Sequence, residues 1–277
     1  MSVLILAEDM DATVDAMIPA LLERNAVVHR VNTAWFPVQL SVSAELRGEQ
    51  WIGQIRTPAR LIELESIAAV WYRTPRAYKF PDELNPAEPK AARCGLAVPD
   101  TVITNEADTV RKFAAKGRTV SKVFGTNMLM EEGVRKIGFT RLLDEADLAD
   151  LRGINVTAHL VQRWVPKAYE VRMVVIGDHI TAAAIRAGSP ESYIDFRSDY
   201  ANLSYELIEP PTDVVDSVRN LMVDMDLLYG ALDFVVQPDG SWTFLEINAG
   251  GQFGFIEDET GAPLTAQLAD LLTRKKQ

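Results

Sequence analysis

The chain has 277 residues, 48% of them hydrophobic, which is enough to bury a substantial core in two or three lobes. Its formal net charge of −11 argues against a function centred on nucleic acid, which needs a basic surface. One cysteine and three histidines exclude an intramolecular disulfide and leave no zinc-type ligand cluster. The single cysteine fits a cytoplasmic location, and the opening apolar run VLILA is too short to span a membrane.

The first lobe is expected at residues 1–88, where strand patterns alternate with one helix. SVLILA, AVVHRV and IAAVWYR have the pattern of strands, and PVQLSVSAEL and EQWIGQIRT alternate like paired, half-exposed strands. Asp11 is placed to cap the helix. The apolar stripe of that helix consists of Val14, Met17, Ile18, Leu21 and Leu22. This order predicts an open α/β layer, and no G-x-G-x-x-G follows the first strand, which argues against a dinucleotide-binding domain.

Two arginines, Arg73 and Arg76, follow the IAAVWYR strand, where crevices form in open sheets. They either contact an acidic peptide or phosphate, or are simply solvated. The next stretch, YKFPDELNPAEPKAARCGLAVPD, is rich in proline and charge and predicts a linker or lobe boundary.

The second lobe is expected at residues 89–165. TVIT predicts a strand, Glu106 to Ala115 a helix, and RTVSKVF and INVTAHLVQRWV two further strands. Lys122 is a lone charge in its strand, beside a flexible Gly-Thr-Asn turn, from which a lysine can reach phosphate oxygens. The alternative is an ordinary surface lysine.

The third lobe is expected at residues 166–277 and begins with a hairpin, VRMVVIG and HITAAAIRA. Arg172 and Arg186 interrupt these apolar strands and are suited to clamp phosphates or carboxylates. SPESYIDFRSDY is expected to be a polar loop, and TDVVDSVRNLMVDMDLL a helix. GGQFGFIEDETG is expected to be a mobile loop, and LTAQLADLL an amphipathic helix.

A second hairpin, Ala231 to Gly251, carries the most informative pattern. Its strands, ALDFVV and SWTFLEINA, are joined by a turn at Pro-Asp-Gly. With a loop of two or four residues, facing residue numbers sum to 479, so that Asp233 faces Glu246 and Asn248 lies on the same side. The same register places Val235 opposite Phe244, Gln237 opposite Trp242, and Leu245 on the apolar face. A three-residue loop with a glycine bulge would shift this register by one and separate the two acids.

Two facing carboxylates with a nearby amide oxygen form an incomplete, all-oxygen ligand set. Because such carboxylates repel each other unless a cation lies between them, Asp233, Glu246 and Asn248 suit Mg²⁺ shared with substrate phosphates. The alternative is an ordinary hairpin with two solvated acids. Each acid, however, interrupts an apolar run, where an unpaired charge is costly.

The combination of L-D-F-V-V and F-L-E-I-N resembles the metal-binding end of ATP-grasp ligases. The closer resemblance is to the ATP-grasp peptide maturases that macrocyclise ribosomal peptides of the microviridin, or graspetide, type. It is carried by EEGVRKIGFTRLL, QRWVPKAYEVRMVVIG, AGSPESYIDFRSDY and LEINAGGQFGFIEDETGAPLTAQLADLL, which cover most of residues 89–277. The resemblance implies an α/β (α+β) ATP-grasp fold, with an N-terminal α/β lobe before two lobes that clamp ATP. Relative to that family the chain is short near Glu88-Pro89, which leaves Lys90 as the local candidate for the family's first ATP-contacting lysine.

The resemblance also implies roles for individual residues. Adenine would be held at the hinge by backbone groups near Arg163 and Val165 with help from Gln162, ribose by Glu170, and phosphates by Lys122, Arg186 and Asn248. Arg186 would face the γ-phosphate and acyl phosphate, and Arg172 the substrate carboxylate. The base would be Asp195 or Glu191. Further substrate contacts would come from Arg73, Arg197 and Gln252.

The implied activity is ATP-dependent macrocyclisation of a precursor peptide that carries a leader sequence. An Asp or Glu side chain becomes an acyl phosphate, and a Thr or Ser hydroxyl or a Lys amine captures it as an ester or amide. Residues 131–150 would help to bind the leader, and the protein would be a homodimer without nucleic-acid or membrane partners. The rivals are a ligase that adds a free amino acid or peptide, and a non-catalytic nucleotide-dependent peptide-binding protein.

Overall fold

The computed structural model describes residues 2–32, 35, 39–47, 50–73, 87–104, 106–122, 128–131, 134–154 and 159–274, and the statements below concern these residues. Arg76 lies outside them. No helix in these ranges has the length and apolar character needed to cross a membrane.

The first part of the chain forms a parallel sheet with one helix and a separate antiparallel sheet. Its elements are β1 (Ser2–Leu6), α1 (Ala12–Glu23), β2 (Val27–Val31), β3 (Ser41–Arg47), β4 (Gln50–Arg56), β5 (Leu61–Glu63) and β6 (Ile67–Tyr72). The strand orders are β2-β1-β6 and β3-β4-β5. Asp11 caps α1 as predicted, because its Oδ1 accepts the Thr13 and Val14 N–H groups at 3.0 and 3.2 Å. Leu22, predicted in the apolar stripe of α1, is instead 56% exposed.

The middle part forms a four-stranded antiparallel sheet, β11-β8-β12-β7, and a two-stranded ribbon, β10-β9. Its elements are α2 (Ala87–Arg93), β7 (Thr101–Thr104), α3 (Ala107–Ala114), β8 (Thr119–Lys122), β9 (Met128–Glu131), β10 (Val134–Ile137), β11 (Arg141–Leu142), α4 (Glu145–Ala149) and β12 (His159–Arg163). Helix α2 precedes this sheet in the chain but packs elsewhere, because Ala91 and Leu96 belong to the core of the next sheet. Lys90 on α2 pairs with Asp224 at 2.9 Å and is not among the described residues that line the cavity below.

The last part is a five-stranded antiparallel sheet, β15-β14-β13-β16-β17, covered by helices. Its elements are β13 (Tyr169–Ile176), β14 (His179–Ala187), α5 (Pro190–Ile194), β15 (Leu203–Ile208), α6 (Thr212–Asp224), β16 (Tyr229–Val236), β17 (Trp242–Asn248), α7 (Gly254–Thr260) and α8 (Leu264–Thr273). Alternate residues of β13 lie on opposite faces of the sheet. Val171, Met173 and Val175 pack with α6, whereas Val174 and Ile176 join a core shared with the first part of the chain.

Two stretches expected to be loops are partly helical. In the first, Ser189 forms a reciprocal capping box with Ser192 and starts α5. In the second, α7 is anchored by Phe253 and Ile256, both fully buried. Local hydrogen bonding in one case, and burial of two apolar side chains in the other, therefore override the polar character of these sequences.

Candidate functional site

One cavity of about 420 Å³ lies between the middle sheet and the last sheet. It is lined by Val120, Lys122, Gly138, Thr140, Leu160, Gln162, Arg163, Trp164, Val165, Lys167, Glu170, Ile194, Asp195, Phe196, Arg197, Asp233, Val235, Leu245, Glu246 and Asn248. Ten of these are site residues predicted from the sequence: Lys122, Gln162, Arg163, Val165, Glu170, Asp195, Arg197, Asp233, Glu246 and Asn248. The geometry brings them together, while their roles stay predictions.

Asp233 pairs with Glu246 in the structure as predicted, but the strand register between this pair and the turn differs from the predicted one. The loop of the β16–β17 hairpin contains three residues, since the Gln237 N–H donates to the Ser241 carbonyl at 2.9 Å and Gly240 has φ +85°. This shifts the register near the turn, as the alternative from the sequence foresaw. A second irregularity between Asp233 and Phe234 then restores the pairing of the two acids.

The extra residue at this second irregularity is Leu245. The predicted pairs of Val235 with Phe244 and of Gln237 with Trp242 are therefore wrong, and Phe234 lies opposite Phe244. The rings of Phe234 and Phe244 pack in the core with centroids 5.6 Å apart, whereas Leu245 lines the cavity beside Glu246. Strict alternation assigned Phe244 and Leu245 to the wrong faces because a bulge places two successive residues against one.

Asp233 is a largely buried acid, with its side chain 16% exposed, and it is held by an arginine. Arg172 Nε lies 2.8 Å from Asp233 Oδ1, and Arg172 Nη2 donates to Oδ2 at 3.3 Å. Burial, together with the nearby Glu246 carboxylate and against the field of Arg172, raises the pKa of Asp233 to about 7. A cation bound beside Asp233 would stabilise its ionised form.

The donor set fits a hard divalent ion. Asp233 and Glu246 lie opposite each other, Asn248 lies two residues further on β17, and all three line the same cavity. Carboxylate and amide oxygens in incomplete sets suit Mg²⁺. Within the described ranges no group of three or more His, Cys, Asp or Glu residues is arranged to hold a metal ion. The amide of Asn248 as the third donor stays a prediction.

A second acid, Glu170, is compensated by a lysine that the sequence analysis missed. Lys167 is 6% exposed, its Nζ pairs with Glu170 and donates to the Ile194 carbonyl at 3.3 Å. Burial raises the pKa of Glu170 against the opposing fields of Lys167 and Lys122. The spacing of Lys167 and Glu170 was no signal for this pair, because residues three apart are neighbours on a helix, whereas Lys167 just precedes β13 and Glu170 lies within it.

The hinge between the two sheets carries both predicted and unpredicted contacts. Gln162 is buried, and its Nε2 donates to Thr101 Oγ1 at 3.0 Å. The Arg163 side chain turns away to donate to Thr119 Oγ1 and to the Phe113 carbonyl, both at 3.0 Å. The Arg163 N–H donates to the Asp100 carbonyl at 2.8 Å, so that N–H is already engaged. Trp164 also lines the cavity and was missed.

Asp195 and Arg197 form a fixed unit on the cavity wall. Arg197 Nε and Nη2 donate to the two Asp195 oxygens at 2.8 and 2.7 Å, and the Thr140 N–H donates to Oδ2 at 2.8 Å. Burial opposes the charged form of Asp195, but these hydrogen bonds outweigh it and hold its pKa below the usual range. A carboxylate in this state is a weak base, so the predicted role of Asp195 as the proton acceptor is not favoured.

Arg186 and Glu191 are not among the described residues that line the cavity. Arg186 lies on the opposite face of the sheet from Arg172, its guanidinium stacks 4.5 Å from the Tyr169 ring, and it pairs with Glu206 at 3.4 Å. As placed, Arg186 does not reach phosphates in the cavity. Glu191 is exposed in the first turn of α5.

Arg73, Arg172 and Gln252 also lie outside the lining. Arg73 is 3% exposed and pairs with Asp11 at 3.3 Å, which corrects the expectation of a substrate contact. Arg172 forms an ion pair with Asp233, and its Nη1 donates to the Gln252 carbonyl at 3.2 Å. The Gln252 side chain is exposed.

Residues 2–93 match the family model of the MvdD pre-ATP-grasp domain. An ATP-grasp ligase associated with RiPP biosynthesis from Chryseobacterium gregarium, solved with ADP and with a leader and core peptide, is 24% identical and has a TM-score of 0.80 over 100% of this chain and 97% of its own. The chain has the ATP-grasp fold. The macrocyclase MdnC from Microcystis aeruginosa MRC, bound to precursor peptide MdnA, shares this fold with 24% identity and a TM-score of 0.80 over 99% of this chain and all of its own.

The ligase PsnB, complexed with a phosphomimetic variant of a minimal precursor, Mg and ADP, has the same ATP-grasp fold. It is 22% identical, with a TM-score of 0.73 over 99% of this chain and 98% of its own. No curated protein matches. These matches confirm the predicted ATP-grasp fold and the resemblance to ATP-grasp peptide maturases, while the lobe boundaries and residue roles stay predictions.

Proposed function

We propose that the chain is an ATP-dependent macrocyclase of a ribosomally made precursor peptide with a leader sequence. An Asp or Glu side chain of the peptide takes the γ-phosphoryl group of ATP and becomes an acyl phosphate. A Thr or Ser hydroxyl or a Lys amine of the same peptide attacks that carbonyl and releases phosphate. The observation that carries the proposal is the Asp233–Glu246 pair in the cavity that Lys122 lines from the facing sheet.

Each side of the cavity supplies one part of this chemistry. Lys122 on β8 offers a positive charge for phosphate oxygens, and Glu170 on β13 offers a carboxylate for ribose hydroxyls. Asp233, Glu246 and Asn248 would hold Mg²⁺, which would supply positive charge to offset that of the phosphates. Gln162 and Val165 at the hinge lie where the resemblance places the adenine.

Arg197 is well placed to meet the anionic peptide group in this cavity. Asp195 fixes its guanidinium, and the carboxylates of Glu246 and Asp233 lie near enough to raise the pKa of Arg197. A fixed arginine beside the phosphate end of the site favours a carboxylate or acyl phosphate at that position. This is the cationic role that the sequence analysis gave to Arg186.

The comparisons support a peptide substrate. The three similar structures described above each span nearly the whole chain, and each contains a precursor peptide or its leader and core. The proposal also includes a homodimer, which sedimentation equilibrium tests, and a cytoplasmic location, where ATP is available.

The test uses, as candidate precursor, any short peptide rich in Thr and Asp or Glu that is encoded beside the gene for this chain. With ATP and Mg²⁺, we expect the peptide to lose one water per ring in its intact mass, with equal release of phosphate. Asp233→Ala and Glu246→Ala should abolish both signals, whereas Asp239→Ala, on the exposed turn of the same hairpin, should keep them. Hydroxylamine cleaves an ester ring and leaves an amide ring intact.

Two outcomes would contradict macrocyclisation. A gain of mass in the presence of free amino acids identifies a ligase that adds them. Peptide binding that depends on nucleotide, without phosphate release or mass change, identifies a non-catalytic binding protein.

A further inference from the structure

Gly250 holds the side chain of Asn248, and Gly251 holds its backbone. The Gly250 N–H donates to Asn248 Oδ1 at 2.9 Å, and the Gly251 N–H donates to the Asn248 carbonyl at 3.1 Å. A Cβ atom would lie 2.4 Å from the Arg73 carbonyl oxygen at Gly250, and 2.4 Å from the Ala231 Cβ at Gly251. The segment is therefore pressed between the end of β6 and the start of β16, with no room for side chains.

Three successive carbonyl groups of this segment accept hydrogen bonds from side chains. The carbonyls of residues 250, 251 and 252 accept, in that order, from Arg73 Nη1, from the Tyr229 hydroxyl at 2.5 Å and from Arg172 Nη1 at 3.2 Å. Tyr229 and Arg172 belong to the same sheet as the site, whereas Arg73 comes from the first part of the chain. The segment expected from the sequence to be a mobile loop is thus tied at each of these peptide units.

Arg73 is itself linked to the parallel sheet through its backbone and to Asp11 through an ion pair. Its N–H donates to the Leu6 carbonyl at 2.9 Å, and its Nε lies 3.3 Å from Asp11 Oδ2. The other oxygen of Asp11 caps α1 through the Thr13 and Val14 N–H groups. The parallel sheet and α1 therefore fix the arginine that holds Gly250.

We propose that Arg73 is a positioning residue for the divalent-cation site. It holds the carbonyl of Gly250 and so fixes the residue whose N–H orients Asn248. The inference rests on the proposed function, in which Asn248 is a metal ligand. Groups that orient a ligand without touching the metal typically contribute 10- to 100-fold to metal affinity. The first part of the chain thereby completes a site whose ligands all come from the last sheet.

The first test measures Mn²⁺ binding, by electron paramagnetic resonance with ADP present, in Arg73→Met and in a matched control, Arg24→Met. Arg24 also ties the first part of the chain to the last, through Asp270 at 2.6 Å and the Ala266 carbonyl at 3.4 Å, but on α8 rather than at Asn248. We expect Arg73→Met to weaken Mn²⁺ binding about tenfold, and Arg24→Met to stay within twofold of the unaltered chain.

A second readout needs no metal. In the metal-free chain, amide hydrogen exchange across residues 248–252 should be about tenfold faster in Arg73→Met and unchanged in Arg24→Met. If Arg73→Met does not fold, Arg73→Lys replaces it. Lysine keeps a positive charge near Asp11, but its single ammonium group cannot bond to both Asp11 and the Gly250 carbonyl. The Mn²⁺ affinity and exchange rates of Arg73→Lys should then fall between those of the unaltered chain and the values above.

The results separate this inference from the proposed function. If the unaltered chain binds Mn²⁺, Asp233→Ala does not, and the Arg73 variants match Arg24→Met in both readouts, the positioning role is wrong and the proposed function stands. If the unaltered chain with ADP does not bind Mn²⁺, the metal site is wrong, and the positioning role falls with it.

Discussion

Replacing Asp233 by Asn should stabilise the metal-free chain at alkaline pH. A carboxyl group whose pKa is higher in the folded chain than in the unfolded chain lowers stability as pH rises through that interval. For Asp233 the interval runs from 3.8 to about 7, and about 1.4 kcal/mol per pKa unit gives a cost of about 4 kcal/mol when it is fully ionised. Because Asn has the neutral form at every pH, we expect Asp233→Asn to gain about 2 to 4 kcal/mol at pH 8 and almost nothing at pH 4.

The assay is equilibrium urea unfolding at pH 4, 6 and 8 in the presence of a chelator. The matched control is Asp239→Asn, the same substitution on the exposed turn of the same hairpin, where hydrogen bonds from Ser241 lower the pKa of Asp239. Its effect on stability should not grow between pH 4 and pH 8. The reasoning fails if Asp233→Asn is less stable than the unaltered chain at pH 8, or if its gain is the same at all three pH values.

Three further changes test the packing around the site, each by urea unfolding. Phe244→Ala should cost about 3 to 5 kcal/mol because the ring is fully buried, and a cost under 1 kcal/mol would place the ring outside the core. Lys167→Met should cost about 3 kcal/mol, and more at pH 8 than at pH 5, because ionised Glu170 is left buried without its partner. Gly251→Ala should cost about 1 to 3 kcal/mol, because its new Cβ would lie 2.4 Å from the Ala231 Cβ. Gly254→Ala should be nearly neutral, because the nearest atom to its new Cβ is Thr13 Oγ1 at 3.6 Å.

The β16–β17 hairpin shows how far alternation alone can be trusted. Alternation from a loop of two or four residues predicts the pairing of Asp233 with Glu246, although the loop that forms has three residues. The faces of Phe244 and Leu245 could not be predicted, because the three-residue loop and the later bulge each shift the register by one, and the two shifts cancel only from Asp233 and Glu246 onward. The sequence does not show where this bulge lies. Its position follows from tertiary packing, because the Phe244 ring is buried in the core and Leu245 is therefore the extra residue.

The misplaced arginines differ in what the sequence could have shown. In the β13–β14 hairpin, facing residues have numbers that sum to 355, so Arg186 lies level with Tyr169 and on the other face from Arg172. The predicted two-residue turn already contained that information. The burial of Arg73 was out of reach, because its partners lie 62 residues before it, at Asp11, and 177 residues after it, at Gly250.

One face of the last sheet contacts both the first part of the chain and the predicted metal site. On β13, Val174 and Ile176 pack into the core shared with the parallel sheet, and on the same face Glu170 lines the cavity while Arg172 holds Asp233. On β13, the core residue Val174 and the arginine that holds Asp233, Arg172, are therefore only two positions apart. Since a close-packed core transmits displacement instead of absorbing it, we expect a shift of the parallel sheet to move Arg172 and, with it, the predicted metal ligand Asp233.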